Sequence, residues 1–229
     1  MRVPGFPVVT RMRDDLGVAA VEVYADIWCP FTHLGLRRLV ARREEEERSL
    51  PIRVRAWPLE LVNGEPLDAA FVAEEITELR AQVAPDVFEG FREDRFPSTT
   101  LPALALVESA YKVSPVVGES MSLMLRDLLF EHGGDVSDPA VLAAAASDLG
   151  VPLAGPAEAV AVQDSWDAGR ERGVVGSPHF FTASAGYFCP ALDIEKVDGR
   201  FRIRLDEPAF EEFVASCFGS VGGDDDGGG

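Results

Sequence analysis

The junction between the first predicted strand and the helix after it constrains the fold of this chain more than any other feature. Apolar residues alternate from Val21, which predicts a strand, and then recur at helical spacing from Leu36. Cys29 and Pro30 lie where one period gives way to the other. Proline suits the first turn of a helix, and a cysteine just before it faces unpaired backbone amides that favour the thiolate. We therefore predict an activated thiol at a helix start, with a pKa below that of an unperturbed cysteine.

The order of the remaining segments predicts an α/β fold. A second strand is expected over 52–57, and its short connection to the preceding helix favours a parallel pair with the first strand. Strand periodicity is missing from 61–169, where helical stretches alternate with prolines and glycines. One of these helices is expected to begin after Asp138 as its cap and to end at Gly150. Hairpin signals follow, with one turn around 184–186 and another at Asp198-Gly199. The chain therefore reads as an α/β domain with a large all-helical insertion between its second and third strands.

This pattern gives the domain organisation. The α/β domain is discontinuous, and its last helix is expected over 208–218 with Asp206 as the cap. A proline-containing extension precedes the domain, and an acidic, glycine-rich segment without apolar residues follows it as a disordered tail. The boundaries are 1–18 for the extension, 19–60 and 170–218 for the α/β domain, 61–169 for the insertion and 219–229 for the tail.

Charge and cysteine content exclude several classes of function. The 229 residues carry a formal net charge of -18, which argues against nucleic acid and anionic membrane surfaces as partners. No stretch of apolar residues approaches the length of a membrane span. Prolines interrupt the apolar residues near the N-terminus, whereas a signal peptide has an uninterrupted apolar segment. Three cysteines do not form a disulfide framework in a chain of this size. We expect a cytoplasmic protein with free thiols, and the sequence leaves its oligomeric state open, a homodimer included.

The chain resembles the DsbA family of the thioredoxin superfamily over about residues 19–218. Within that family it is most similar to the branch of FrnE-like proteins, hydroxychromene-carboxylate isomerases and kappa-class glutathione transferases. Short motifs from both parts of the α/β domain and from the insertion carry the resemblance. They are Asp26, Trp28-Cys29-Pro30-Phe31-Thr32, Leu34-Gly35, Trp57-Pro58-Leu59, Thr99-Thr100 and Gly173 to Phe180.

The resemblance implies a thioredoxin-like domain and a set of site residues. Pro178 matches the cis-proline that opens the third strand in this superfamily and packs against the active-site cysteine, here Cys29. The backbone of Ser177 is then free to pair with a bound peptide or with glutathione. Pro30 and Phe31 are expected to contact the substrate beside the thiol. The implied partner is a small thiol or disulfide, with no tightly bound cofactor.

Thr32 departs from the family pattern, because it stands where a dithiol enzyme has its second cysteine. Cys29 can attack a disulfide, but no neighbouring thiol at position 32 resolves the mixed disulfide. The retained Cys29 favours a thiol–disulfide oxidoreductase with a single active-site cysteine and glutathione as the candidate co-substrate. One alternative is a glutathione-dependent isomerase or transferase. Another is a non-catalytic binding protein whose thiol has an ordinary pKa.

Three further residues are auxiliary candidates, each with two interpretations. Asp26 is either a turn residue or a carboxylate that accepts the thiol proton. His33 either faces solvent or lies near the sulfur, where its cation would favour the thiolate. Cys189, expected opposite Phe180 in the first hairpin, either fills space or acts as a displaced resolving thiol. The spacing of the three histidines and three cysteines matches no zinc motif, so no metal is expected.

Overall fold

The computed structural model describes residues 21–66 and 68–219. The predicted extension at 1–18 and the tail, except for Gly219, lie outside these residues. A short 3₁₀ turn lies at Glu93–Arg95. The strands and longer helices are β1 (Val21–Ala25), α1 (Pro30–Glu45), β2 (Ile52–Ala56), α2 (Leu59–Asn63), α3 (Ala69–Gln82), α4 (Leu101–Val113), α5 (Pro115–Phe130), α6 (Pro139–Leu149), α7 (Pro156–Arg172), β3 (His179–Phe181), β4 (Gly186–Phe188), β5 (Leu192–Val197), β6 (Arg200–Leu205) and α8 (Glu207–Phe218).

Four of the strands form a mixed sheet in the order β2-β1-β3-β4. β1 and β2 run parallel with Val21 opposite Ile52, as the short connection after α1 predicts. β3 pairs antiparallel with β1, and β4 pairs antiparallel with β3. β5 and β6 form a separate hairpin around Asp198 and Gly199, which both have positive φ (51° and 82°). The predicted second hairpin is therefore confirmed, with the backbone geometry that an Asp-Gly turn favours.

Helices cover both faces of the four-stranded sheet. On one face the Phe180 ring packs against Phe213 of α8, with ring centroids 4.8 Å apart, and it lies under α1 at Gly35. On the other face α7 approaches the Trp57 ring at Gly169. A Cβ atom at Gly169 would lie 2.7 Å from that ring, so only glycine permits this contact. Cys29, at the start of α1, is thereby placed on the Phe180 face of the sheet.

The helices from α2 to α7 occupy the interval between β2 and β3, as the loss of strand periodicity predicts. The Tyr111 hydroxyl of α4 accepts a hydrogen bond from Val54 N (2.8 Å) and donates one to Ile52 O (2.9 Å). Both partners belong to β2, the edge strand beside the insertion. The insertion therefore satisfies polar groups that an exposed sheet edge would present to solvent.

Local capping explains where the predicted helices begin and end. Asp138 accepts a hydrogen bond from Ala140 N at 2.8 Å at the start of α6, and Gly150 ends that helix with a φ of 64°. Asp206 accepts from Ala209 N at 3.0 Å at the start of α8. These boundaries confirm the sequence prediction, since each depends on side chains within one turn of the helix end.

The register of the first hairpin differs from the prediction. Phe180 pairs with Tyr187, so Cys189 lies opposite Pro178 and donates its backbone N–H to Pro178 O at 3.0 Å. The prediction placed Cys189 opposite Phe180, two residues away from its observed partner, and is therefore wrong. The cause is Thr182, whose hydroxyl accepts hydrogen bonds from two loop amides at 3.2 and 3.3 Å and fixes the turn one residue earlier.

Candidate active site

Cys29 occupies the N-cap position of α1, with an extended backbone (φ -74°, ψ 111°) and Pro30 in the first turn. The first hydrogen bond of the helix runs from His33 N to Cys29 O at 3.2 Å. As a neutral thiol the side chain makes no capping hydrogen bond. The thiol donates instead to the backbone oxygen of Ser177, 3.0 Å from the sulfur. The predicted nucleophile therefore lies at a helix start and contacts the segment that leads into β3.

Ser177 holds the turn before α1 against that segment. The Ser177–Pro178 peptide bond is cis, as the resemblance implies. Ser177 Oγ accepts from Asp26 N at 2.9 Å and shares a second hydrogen bond of 2.9 Å with Thr32 Oγ1. Within 21–66 and 68–219, no group accepts a hydrogen bond from Ser177 N. Cys29, Thr32, Ser177 and Pro178 thus meet in one place, with one backbone amide left open.

Asp26 is fully buried beneath this turn. Its carboxylate accepts hydrogen bonds from Trp28 N (3.2 Å), Leu59 N (2.5 Å) and Thr100 Oγ1 (2.7 Å). Burial raises the pKa of Asp26, and these three hydrogen bonds oppose the shift. The contacts are those of a turn residue, because they join the end of β1 to the starts of α2 and α4. None of its carboxylate hydrogen bonds to described residues involves Cys29.

Burial also dominates the electrostatics of Cys29, which is only 4% exposed. Loss of water raises the pKa of Cys29, although hydrogen bonds from Thr32 and Ser177 favour the thiolate. The negative charge of Glu75 raises it further. The predicted lowering of the pKa is therefore wrong for this structure. The prediction counted the local field of the helix start and did not include the elements that shield the sulfur from water.

Arg126 places a positive charge beneath the same turn. It is fully buried in α5 and donates to Ser122 O (3.0 Å), Ser122 Oγ (2.7 Å) and Asp26 O (3.1 Å). Burial lowers the pKa of Arg126 to about 10, while the negative charges of Asp26 and Cys29 oppose that shift. The guanidinium therefore stays protonated at neutral pH. The sequence analysis missed Arg126, although its i, i+4 spacing from Ser122 and its place on the apolar stripe with Leu129 are a detectable signal.

Glu75 of α3 is a second ionisable group that the sequence analysis missed. It is 9% exposed and lies among the buried residues of α3. Burial raises the pKa of Glu75 to about 7, the charge of Glu74 adds to the shift, and Lys196 opposes it. Because its charge acts on Cys29, the ionisation of Glu75 near neutral pH makes the thiolate harder to form.

Replacing Glu75 with glutamine should lower the pKa of Cys29 and stabilise the protein above pH 7. The folded state keeps the Glu75 proton up to pH about 7, whereas an unfolded chain loses it near the ordinary carboxyl value. Stability therefore falls as pH rises between these values, and the substitution should recover up to about 3 kcal/mol at pH 8. Urea unfolding at pH 5 and pH 8 measures this. Glu74→Gln, an exposed neighbour, is the control, and equal gains in both variants would contradict the assignment.

His33 is buried and contacts Glu131. It is 2% exposed, its Nε2 atom lies 2.7 Å from Glu131 Oε1, and its ring packs between Phe88 and Phe130. The expectation that His33 faces solvent is wrong, because α5 and the loop before α4 cover that side of α1. Burial lowers the pKa of His33, which works against a cationic role beside Cys29.

The two predicted substrate contacts beside Cys29 are partly shielded. Pro30 is buried, and Phe31 is half-buried against the hydrophobic core. A concavity of about 500 Å³ lies next to α3 and is lined by residues that include Ile76 and Phe88, but not by Phe31 or Cys29. The sulfur therefore lies outside this concavity, beneath side chains that cover it.

The described part of the chain contains neither a metal-binding cluster nor a membrane-spanning helix. Within residues 21–66 and 68–219, no group of three or more histidine, cysteine or acidic side chains is arranged to hold a metal ion. No helix in these ranges combines the length and the apolar character needed to cross a bilayer.

The mixed sheet and the contact between a helix-start cysteine and a cis-proline segment define a protein of the thioredoxin fold. Residues 20–202 match the family model described as a DSBA-like thioredoxin domain, and the chain belongs to that family. No curated protein is found to match the sequence.

Solved structures agree with this assignment. A probable DsbA oxidoreductase from Streptomyces coelicolor matches with a TM-score of 0.60 at 17% identity, covering 89% of this chain and 92% of its own. The cytosolic disulfide reductase DsbM from Pseudomonas aeruginosa matches with a TM-score of 0.56 at 16% identity, covering 86% and 95%. A 2-hydroxychromene-2-carboxylate isomerase matches with a TM-score of 0.55 at 16% identity, covering 74% and 88%. At these identities the matches show the fold alone.

Proposed function

We propose that this protein is a thiol–disulfide oxidoreductase that attacks its substrate with Cys29. One observation carries the proposal: the Cys29 thiol lies at the start of α1 and donates to the carbonyl next to Pro178, 3.0 Å away. Once the side chains that cover the sulfur move, a disulfide at this point meets the sulfur and the open amide of Ser177 together. Thr32 takes the place of a second cysteine at the helix start and gives the site a hydroxyl instead.

The hydrogen bonds around the sulfur suit a thiol that ionises during the reaction. The neutral thiol donates to Ser177 O, and this bond is lost when the proton leaves. The thiolate is favoured by hydrogen bonds from the Thr32 side chain, the Thr32 backbone and the Ser177 hydroxyl. Cys29 then attacks one sulfur of the substrate disulfide, and the other sulfur leaves as a thiolate that takes up the proton. The product at this stage is a mixed disulfide on Cys29.

A small monothiol is the proposed partner that returns Cys29 to its reduced form. The monothiol attacks the substrate sulfur of the mixed disulfide. Cys29 is released in its reduced form, and the monothiol leaves joined to the substrate group in a new disulfide. Glutathione is the proposed co-substrate, and the DsbM structure has also been solved with GSH. We place this chemistry in the cytoplasm, because the three cysteines are free and the DsbM neighbour is named as cytosolic.

A glutathione-dependent isomerase or transferase is the second candidate. The observation in its favour is Thr32, which removes the second thiol of a dithiol enzyme from the helix start. The isomerase among the structural matches has the same fold. In this reaction Cys29 would orient or activate glutathione and would not exchange with a disulfide.

The burial of Cys29 predicts how the first candidate behaves. At 4% exposure the sulfur meets a substrate only when the side chains above it move, and its raised pKa limits the thiolate at neutral pH. An ordinary cysteine has a pKa near 8.5. The rate of attack by Cys29 should therefore reach its plateau at a higher pH than the rate for an ordinary cysteine.

The decisive test is the reduction of 2-hydroxyethyl disulfide by glutathione in the presence of the protein. We expect turnover above the uncatalysed rate, an increase with pH through pH 9, and a disulfide on Cys29, found as a mercaptoethanol or glutathione adduct or as a bond within the protein. Iodoacetamide labelling of Cys29 over the same pH range should follow the same curve. Uncatalysed rates with no disulfide of any kind on Cys29 would overturn the proposal. Conversion of an aromatic substrate with glutathione, without disulfide exchange, would support the isomerase or transferase.

A further inference from the structure

The hairpin formed by β3 and β4 brings a second cysteine to the segment that Cys29 contacts. Cys29 Sγ donates to Ser177 O at 3.0 Å, and Cys189 N donates to Pro178 O at 3.0 Å. The two cysteines are thus anchored to consecutive carbonyl groups of one dipeptide. We propose that Cys189 is the resolving thiol of Cys29 and that the two form a reversible internal disulfide. This inference rests on the proposed exchange function and adds a second reacting residue to it.

Both cysteines lie on the same side of the sheet. The register of β3 and β4 places Cys189 opposite Pro178, which lies two residues before Phe180 and so on the same face of the sheet. The Phe180 ring lies 3.9 Å from the position of a Cβ atom at Gly35 of α1, so this is the face that α1 covers. Cys29 begins that helix. Cys189, which is 8% exposed, therefore lies on the face of the sheet that carries Cys29.

The backbone of Cys189 has an unusual conformation for its residue type. Its φ is 46°, in the left-handed region that side chains other than glycine seldom adopt. Such conformations concentrate at functional sites, where surrounding contacts hold them. Here the residue departs from the line of β4 directly after its hydrogen bond to Pro178. The turn sets the direction of the thiol beside the dipeptide that Cys29 contacts.

The negative charge of a Cys29 thiolate acts on the Cys189 thiol. Burial raises the pKa of Cys189 to about 12, and the Cys29 thiolate contributes to the shift. Burial alone raises the pKa of Cys217 to about 12. Cys217, on α8, is thus a buried thiol of similar character without the coupling to Cys29. Proximity to Cys29 therefore distinguishes Cys189 from an ordinary core cysteine and makes Cys217 the matched control.

The proposed step balances without a further oxidant. After the first attack, Cys29 carries the substrate group RS as a mixed disulfide. The Cys189 sulfur attacks the Cys29 sulfur, the bond between Cys29 and RS breaks, and RS leaves with the proton of Cys189 as RSH. The protein has lost two electrons and two protons to RSSR, which becomes two RSH. Two equivalents of a monothiol such as glutathione reduce the internal disulfide and become the corresponding disulfide.

The test exposes the reduced full chain to 2-hydroxyethyl disulfide, followed by acid quenching, intact mass measurement and peptide mapping. The unaltered protein should lose two hydrogens and yield a Cys29–Cys189 cross-linked peptide. In Cys189→Ser a mercaptoethanol adduct should remain on Cys29 with a lifetime at least about tenfold longer. Cys217→Ser should behave like the unaltered protein. Cys189→Ala serves as a second variant if serine disturbs the turn, and the cross-link in the unaltered chain needs no variant.

The outcomes separate this inference from the proposed function. A persistent adduct on Cys29, equally long-lived in the unaltered protein and in Cys189→Ser, would overturn the role of Cys189 and leave a monothiol enzyme. A cross-link between Cys29 and Cys217 would also overturn it. If Cys29 neither exchanges nor forms any disulfide, both the inference and the proposed function fail.

Discussion

Cys29→Ser should abolish disulfide exchange, with the rate of 2-hydroxyethyl disulfide reduction falling at least about a thousandfold to the uncatalysed level. Serine keeps the size of the side chain and can donate to Ser177 O, so the turn before α1 should remain folded. Its hydroxyl does not ionise near neutral pH, and an oxygen cannot form the mixed disulfide. Steady-state kinetics measures the loss of exchange, and mass spectrometry shows whether any adduct forms at position 29.

Cys217→Ser is the control for this substitution. Cys217 is buried in α8 with a pKa raised to about 12, and its change tests the loss of a buried thiol without touching the site. We expect its exchange rate to stay within about twofold of the unaltered protein and its stability to fall by about 1 kcal/mol. A Cys29→Ser protein that remains active with glutathione would contradict the oxidoreductase proposal and favour the transferase.

Features determined within a few residues could be predicted from the sequence. The helix that starts after Asp138 and the hairpin at Asp198-Gly199 depend on side chains next to the turns they form. The helix start at Cys29 is of the same kind, because proline and the change of apolar period both mark it. The meeting of Cys29 with Pro178 is different, since no local pattern joins positions so far apart. The resemblance to the DsbA family supplied that contact.

Features that depend on how the insertion packs could not be predicted in this way. His33 lies on a helix face that a strand–helix–strand unit alone would leave in solvent, and α5 covers it. Glu75 has a pKa near 7 because α3 lies against the core, which its own helix does not reveal. The pKa of Cys29 is raised for the same reason. The helix dipole at Cys29 can be predicted from the neighbouring residues. The burial of the sulfur away from water depends on elements distant in sequence and can be predicted only from the whole fold.

The hairpin register shows a third kind of limit. The prediction centred the turn one residue too late, and each residue of displacement moves the pairing by two. The alternation of apolar residues fits both registers equally well. The hydrogen bonds of the Thr182 hydroxyl select one of them. The correction places Cys189 beside Pro178, which is closer to the active site than the sequence predicted.

Arg126→Met should destabilise the protein by about 3 kcal/mol and raise the pKa of Cys29. Methionine fills much of the space but leaves Asp26 O and the Ser122 hydroxyl without their donor in a fully buried position. It also removes the positive charge that opposes the buried Asp26 carboxylate and the Cys29 thiolate. Urea unfolding measures the first effect, and the pH dependence of iodoacetamide labelling at Cys29 measures the second.

Two comparisons separate packing from charge in this result. Arg126→Lys keeps the positive charge but loses the planar set of donors, so it should lower stability while the labelling profile of Cys29 moves less than in Arg126→Met. Arg204→Met removes an arginine that is 56% exposed and paired with Asp193, and its effect on stability should be small beside that of Arg126→Met. If Arg126→Met leaves the Cys29 profile unchanged despite lost stability, Arg126 acts on the fold alone. The insertion would then support the site through packing, and the charge beneath the turn would have no part in the ionisation of Cys29.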